Sequence, residues 1–179
     1  MKLSKELIRR YSGRIPEQVA FEAGEKIRNG DCSRKNLKAI VKWKLNRAAG
    51  EKLDEDLNRI KSSLKRAVKH KKCARKAIKS LMNISGVGAS VASAIMTTID
   101  AKHYTIIDSR AIESLKRLNP ENLPKWIRDH KKNKKTWSLT EYLEYLEFCI
   151  ALAKTLKVKL RRLDKALWQY SYENSLTWL

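Results

Sequence analysis

Asp108 stands in Ile106-Ile107-Asp108-Ser109-Arg110, directly ahead of a stretch with helical periodicity. Aspartate is among the commonest N-caps, because its carboxylate accepts hydrogen bonds from the first free amides of the helix, which also keep the acid ionised and rigid. Upstream, Leu81-Met82-Asn83-Ile84-Ser85-Gly86-Val87-Gly88-Ala89-Ser90-Val91-Ala92 sets two glycines between helical stretches, where a tight turn needs positive φ or close backbone approach. A helix starting at Ala89 leaves the amides of Gly88, Ala89 and Ser90 unpaired, and such amides, aided by the helix dipole, form a site for a phosphate oxygen. An ordinary turn between two helices would use the same glycines. The flanks favour the phosphate. From Leu57 to Ile99 no acidic residue occurs, while Arg59, Lys61, Lys65, Arg66, Lys69, Lys71, Lys72, Arg75, Lys76 and Lys79 lead into the turn. Lys65, Lys69, Lys72, Lys76 and Lys79 are the candidate backbone contacts on a polyanion.

The elements that must position these groups are helices. Prolines and glycines are few, and apolar residues recur at three and four rather than two, so the chain is expected to be all-α, with roughly seven or more helices. The pattern predicts helices over Ser4–Tyr11, from Pro16 to Asn29, and from a Ser33 cap to about Arg47, burying Leu37, Ile40 and Val41 or Leu45. Leu57, Ile60, Leu64 and Val68 form an apolar stripe between about Asp54 and Lys69. Helices over Cys73–Met82 and Ala89–Ile99 flank the turn, making a hairpin at 73–100, with Val87, Val91 and Ile95 facing inward. An extended link, Tyr104-Thr105-Ile106-Ile107, precedes Asp108 and a helix over Ser109–Leu118. A basic irregular stretch runs from Pro120 to Lys135, and final helices span Leu139–Leu156 and Leu160–Asn174.

Lys and Arg number 40 against 19 Asp and Glu, a formal net charge of +21 that points to a polyanionic partner. A thermophile-like surface would mix the two signs more evenly. Cys32, Cys73 and Cys149 are odd in number and far apart, which fits reduced thiols and lacks the spacing of a zinc ribbon or an iron-sulfur cluster. No stretch reaches the roughly 18 apolar residues of a membrane span, and the first residues lack the apolar core of a signal peptide. The expected location is cytoplasmic and nucleoid-associated, with no membrane partner.

From Leu81 to Leu115 the chain resembles the helix-hairpin-helix superfamily of DNA base-excision glycosylases, which includes endonuclease III and the 8-oxoguanine and alkyladenine glycosylases. The resemblance pairs Ile84-Ser85-Gly86-Val87-Gly88 with Ile106-Ile107-Asp108-Ser109-Arg110, about twenty residues further on. Ile40-Val41-Lys42-Trp43-Lys44 and Leu163-Asp164-Lys165-Ala166-Leu167-Trp168-Gln169-Tyr170 are similar to pieces of uncharacterised stand-alone prokaryotic proteins that share the hairpin. The resemblance implies one two-lobed helical unit over 1–179 with a cleft between the lobes. One lobe would hold the N-terminal helices with 139–174, the other about 50–118. Duplex DNA is the implied partner, and Asp108 takes the place of the family's catalytic aspartate.

Cleaving an N-glycosidic bond builds positive charge on the sugar, and a rigid carboxylate stabilises that charge or orients the attacking water. The other reading of Asp108 is a helix cap alone. Ser90 stands where bifunctional members carry the lysine nucleophile, so no Schiff base can form there and the implied activity is that of a monofunctional glycosylase without β-lyase activity. Ser109-Arg110 replaces the Thr-His of several members. Arg110 is placed to pair with Asp108, to bind a phosphate, or to remain a solvated or bridging arginine.

A base turned out of the duplex must stack on aromatic groups, and Trp43, Tyr104, Trp126, Trp137, Trp168 and Tyr170 are available. Trp43, flanked by Lys42 and Lys44, and Tyr104 are the candidates for the cleft; Trp168 and Tyr170 lie in an apolar helical pattern and read as core, and His70 and His103 as surface residues. No cofactor is expected beyond an optional monovalent cation, which the resemblance puts on the carbonyls of Met82, Ile84 and Val87. The alternatives are a non-catalytic helix-hairpin-helix DNA-binding protein, architectural or accessory to repair or defence, and an RNA-binding module.

Overall fold

The computed structural model describes residues 3–13, 16–45, 56–130 and 136–174. Among them the chain forms ten helices and no strand. In chain order these are α1 (Lys5–Tyr11), α2 (Gln18–Arg28), α3 (Arg34–Leu45), α4 (Leu57–Lys69) and α5 (Ala74–Leu81). They continue as α6 (Ala89–Ile99), α7 (Ser109–Leu118), α8 (Lys125–Arg128), α9 (Leu139–Thr155) and α10 (Leu160–Glu173). The expected extensions of the third helix to Arg47 and of the fourth back to Asp54 lie outside the described residues, as does the end of the basic stretch, 131–135.

Four of these ten helices, α1, α4, α7 and α9, begin where a side chain satisfies their free amides. Ser4 accepts from the Leu7 amide, Asp56 from those of Asn58 and Arg59, and Ser138 and Glu141 close a reciprocal capping box. Two sequence expectations shift. Pro16 does not open α2, whose first residue is Gln18; instead its carbonyl accepts a hydrogen bond from Trp43 Nε1 at 2.9 Å. Leu57 is exposed in the first turn of α4, so the buried face there is carried by Ile60, Ser63, Leu64 and Ala67. The stretch after Pro124 also contains the single helical turn of α8.

The centre of the molecule is α6. It carries no charged residue, and every side chain from Val91 to Ile99 is buried. A helix apolar on all sides must be surrounded, and α2, α3, α5 and α9 pack around it. The approach of α2 is very close: a Cβ added at Gly24 would lie 2.5 Å from the Thr98 carbonyl carbon and oxygen. On the other side of the core, α7 lies along α10, where Ser114 Oγ donates to the Leu167 carbonyl, and Tyr11 of α1 meets Tyr170 edge-on at 5.2 Å. Buried apolar residues from α1 to α10 join in one continuous cluster.

The extended link ahead of Asp108 runs through this core, where unpaired backbone groups would be costly. Side chains from two helices satisfy it. Tyr142 Oη donates to the Thr105 carbonyl at 3.3 Å and Tyr145 Oη to that of Ile106 at 3.1 Å. Ser90 Oγ donates to the Ile107 carbonyl at 2.9 Å, and the Ile107 amide donates to Ser93 Oγ at 3.2 Å. Burial pushes the Tyr142 and Tyr145 hydroxyls well above the usual range, so both stay protonated and act as donors. Asp108 is therefore held at the end of a segment pinned by α6 and α9.

Candidate functional site

Asp108 has extended backbone, φ −159° and ψ 152°, and caps α7. Its two carboxylate oxygens have separate tasks. Oδ1 accepts from the amides of Arg110 at 2.8 Å and Ala111 at 3.4 Å, whereas Oδ2 faces Lys44 Nζ at 2.6 Å. Both side chains are largely shielded, with relative exposures of 9% for Lys44 and 16% for Asp108. Burial pushes the Asp108 carboxyl up, but the Lys44 charge and hydrogen bond, with the two α7 amides, more than offset it and hold the group below the ordinary aspartate value. The acid is thus an ionised cap with one oxygen directed away from its helix.

Asp108 lines a cavity of about 350 Å³. Trp43 and Lys44 of α3 line it together with Asp108 and with Arg161, Asp164 and Trp168 of α10. Arg161 is the tie across the rim. It pairs with both Glu17 and Asp164, and its guanidinium lies 5.5 Å from the Phe21 ring centre and 5.8 Å from that of Trp43. Lys165 Nζ adds a contact to Glu17 at 3.3 Å. Burial drives the Asp164 carboxyl up; Arg161 pulls it back only in part, and the Asp108 charge raises it further, so the group sits above the ordinary value. One cavity holds a carboxylate tuned down and another tuned up, separated by cations.

Of the aromatic candidates, Trp43 lines the cavity, with its indole N–H committed to Pro16. Tyr104 does not line it. Its ring is buried in the core and its hydroxyl donates to the Lys71 carbonyl at 2.7 Å, because the extended link turns that side chain away from Asp108. Trp168, which its helical pattern assigned to the core, is half-buried in the cavity wall, while Tyr170 is core. Arg110 does not take the pairing position on Asp108, which Lys44 fills. Its guanidinium lies over the Trp168 and Tyr172 rings, at 5.4 and 5.3 Å from their centres, and those two rings stack on each other. His103 is exposed, as its sequence setting suggested, and its Nδ1 lies 2.9 Å from Asp100 Oδ2.

The glycine turn lies apart from the cavity. The Val87 amide donates to the Ile84 carbonyl at 3.0 Å, and Gly86 adopts φ +82°, the conformation for which glycine is required. Gly88 differs from that expectation: its φ is −86° and ψ 179°, ordinary extended backbone at the N-cap of α6. An added Cβ there meets nothing within 4 Å, so the absent side chain leaves open space in front of the amides of Ala89 and Ser90. The Ala92 amide donates to the Gly88 carbonyl, so the intrahelical ladder begins only after those amides. Val87, Val91 and Ile95 are buried as the pattern requires. Among the three carbonyls assigned to a cation, Ile84 already accepts from Val87, which leaves it one lone pair. Lys65, Lys69, Lys72, Lys76 and Lys79 are all exposed on α4, α5 and the connection between them.

The residues that sequence reasoning missed are Lys44, Arg161 and Asp164. Lys44 stood beside Trp43 and read as one more basic residue; its partner lies 64 positions away. The one available signal was Asp164, an acid inside the apolar pattern of α10. In comparisons with known proteins the chain matches no family model, no curated protein and no solved structure. No helix among the described residues is long and apolar enough to cross a membrane.

Proposed function

We propose that the protein is a DNA glycosylase of helix-hairpin-helix type, two-lobed, that grips duplex DNA through the glycine turn and hydrolyses the N-glycosidic bond of an altered base. The observation that carries this reading is the split task of Asp108. One oxygen is held by α7 amides and the other by Lys44, and the residue lines a cavity together with Trp43 and Trp168. The cavity volume lies within the span of about 300–1,000 Å³ usual for small-molecule sites. An extrahelical base would stack against the indoles while its sugar approaches Oδ2, where the carboxylate offsets the positive charge that develops as the base leaves. Ser90 Oγ ties the turn to the carbonyl just before Asp108, so binding at one is mechanically linked to placement of the other. A monovalent cation on the carbonyls of Met82, Ile84 and Val87 would add to phosphate binding at the turn and takes no part in the bond cleavage.

A second reading, DNA binding without catalysis, draws support from the Lys44–Asp108 pair, since both carboxylate oxygens already have partners. Base release decides between them. Duplexes carrying uracil, alkylated, oxidised, deaminated or phage-type modified bases are assayed under single-turnover conditions, with affinity for duplex, single strand and RNA measured alongside. On the base that is excised, Asp108→Asn should slow release about 10²-fold or more, equivalent to roughly 2.7 kcal/mol, while duplex affinity persists. Full activity in a folded, DNA-binding Asp108→Asn protein would reduce Asp108 to a cap.

A further inference from the structure

Where α1 meets the connection between α9 and α10, a second cavity of about 450 Å³ is lined by Lys5, Arg9, Lys157, Val158, Lys159 and Arg162. All but Val158 are cations, and none of them has an ion-pair partner among the described residues. Glu6, the nearest acid in sequence, does not line the cavity. Arg161 and Arg162 show the contrast within one turn of α10: the first is tied to Glu17 and Asp164, and the second is exposed beside four other unpaired cations. The backbone adds to the charge. The Val158 amide donates to the Ala153 carbonyl at 3.0 Å and the Lys157 amide to that of Lys154 at 3.1 Å, with Lys157 at φ +53°. Glycine is usual at this left-handed helix stop, since a side chain is strained there, yet a lysine holds the position. Beyond it, α10 starts without a side-chain cap, so its first amides remain as donors.

We infer that this cavity is a binding site for linked phosphate groups, the chemistry of inorganic tripolyphosphate and of the phosphate tail of a nucleoside triphosphate. The site is separate from the glycine turn and independent of the reaction proposed at Asp108. Gathering cations around one hollow without a counter-charge costs stability through mutual repulsion, and a bound polyanion removes that cost. Charge density selects the ligand. A duplex spreads its charge along a rod, about one phosphate per 3.4 Å of axis on each strand, a form suited to the long exposed lysine run of α4 and α5. Linked phosphates instead concentrate several negative charges and many acceptor oxygens in one compact group, which cations from α1 and from the start of α10 can enclose. Arg9 and Arg162 supply forked donors that match phosphate oxygens, and the three lysines act as point charges. With Val158 as the apolar part of the lining, the cavity offers little to a nucleobase. Recognition should therefore follow the number of phosphates and ignore the base.

The test is calorimetric titration of the full-length protein at fixed ionic strength with orthophosphate, pyrophosphate, tripolyphosphate and adenosine triphosphate. Tripolyphosphate should bind at a single site, about tenfold or more tighter than orthophosphate and about as tightly as adenosine triphosphate. Amide shifts of the wild-type protein on adding tripolyphosphate should centre on residues 5–9 and 157–162. Arg9→Gln together with Arg162→Gln should weaken tripolyphosphate about tenfold or more, whereas Lys69→Ala together with Lys76→Ala should change it little. Both arginines are exposed and unpaired, so their loss strands no partner, and the wild-type shift map locates the site even if the double variant folds poorly. No binding, several equivalent sites, shifts centred on α4, α5 or the glycine turn, or equal weakening by the two double variants would each overturn the inference. A parallel loss of duplex affinity in the Arg9→Gln, Arg162→Gln protein would make the cavity part of the DNA surface and overturn it too. Duplex affinity and base release that persist in that protein keep the glycosylase reading apart from this result.

Discussion

Along α4 and α5, Lys65, Lys69, Lys72, Lys76 and Lys79 project into water with no acid in the surrounding sequence. In the cavity, Lys44, Arg161 and Lys165 are each held against a carboxylate. The first group keeps its charge solvated, so it needs no partner within the chain and remains available to an external polyanion at the cost of mutual repulsion. The second group is drawn out of water, where an unpaired charge is expensive, so each cation must find an acid and can do so only through tertiary contact. The two regions should therefore answer to different perturbations. The exposed face should respond to salt, and the cavity to removal of a partner.

Salt should give the largest effect. If the exposed face and the turn neutralise about five phosphates, duplex affinity should fall with a log–log slope near −4.5, or about 500-fold for a fourfold rise in salt. Replacing Lys69 and Lys76 together by Ala should make the slope shallower by about 1.8, whereas Lys44→Met should leave it unchanged. A slope near zero in the wild type would remove the distinction between the regions.

Breaking the interior pair comes next. Asp108→Ala strands the Lys44 charge, and Lys44→Met strands that of Asp108, so each should lower unfolding free energy by about 3 kcal/mol. The double variant should lose less than the sum, with a coupling of about 2 kcal/mol in denaturant titrations, while Lys79→Ala should leave the midpoint unaltered. Additive losses would mean that the pair behaves like a surface contact.

Within the turn, the two glycines should separate strain from binding. Gly86→Val forces a β-branched residue to φ +82° and should cost about 2 kcal/mol of stability. Gly88→Val meets no strain and no neighbour, and should cost about 1 kcal/mol or less as a poorer N-cap, yet it should weaken duplex binding about tenfold by covering the α6 amides. Thermal melting and duplex affinity of the two variants check this. Unchanged affinity in folded Gly88→Val would return the turn to a plain connection.

The smallest effect is on acid stability. Because the folded Asp108 carboxyl lies below its ordinary value, its stabilisation is complete above that ordinary value and is lost as pH falls through the lower folded one. Between about pH 5 and pH 2, stability should decline less steeply in Asp108→Asn than in wild type, as read from denaturant midpoints. Equal slopes would mean that the carboxyl is not held down by Lys44 and the α7 amides.

The sequence by itself determined what depends on near neighbours. The apolar pattern of Ala89–Ile99 dictated a helix with Val91 and Ile95 inward, and the glycines of Ile84–Gly88 dictated a turn. Asp108 before Ser109 dictated an N-cap, and the acid-free stretch from Leu57 to Ile99 dictated an exposed basic face. These follow from hydrogen bonds and burial within a few residues, which periodicity and cap chemistry record directly. The tertiary structure alone decided that Lys44 meets Asp108, that Trp168 rather than Tyr104 faces the cavity, and that Arg161 ties Glu17 to Asp164. It also brought Gly24 against Thr98, and Tyr142 and Tyr145 onto the carbonyls of the extended link. A lysine looks the same in sequence whether it ends in water or against a buried acid, because its environment is set by helices folded in from distant positions.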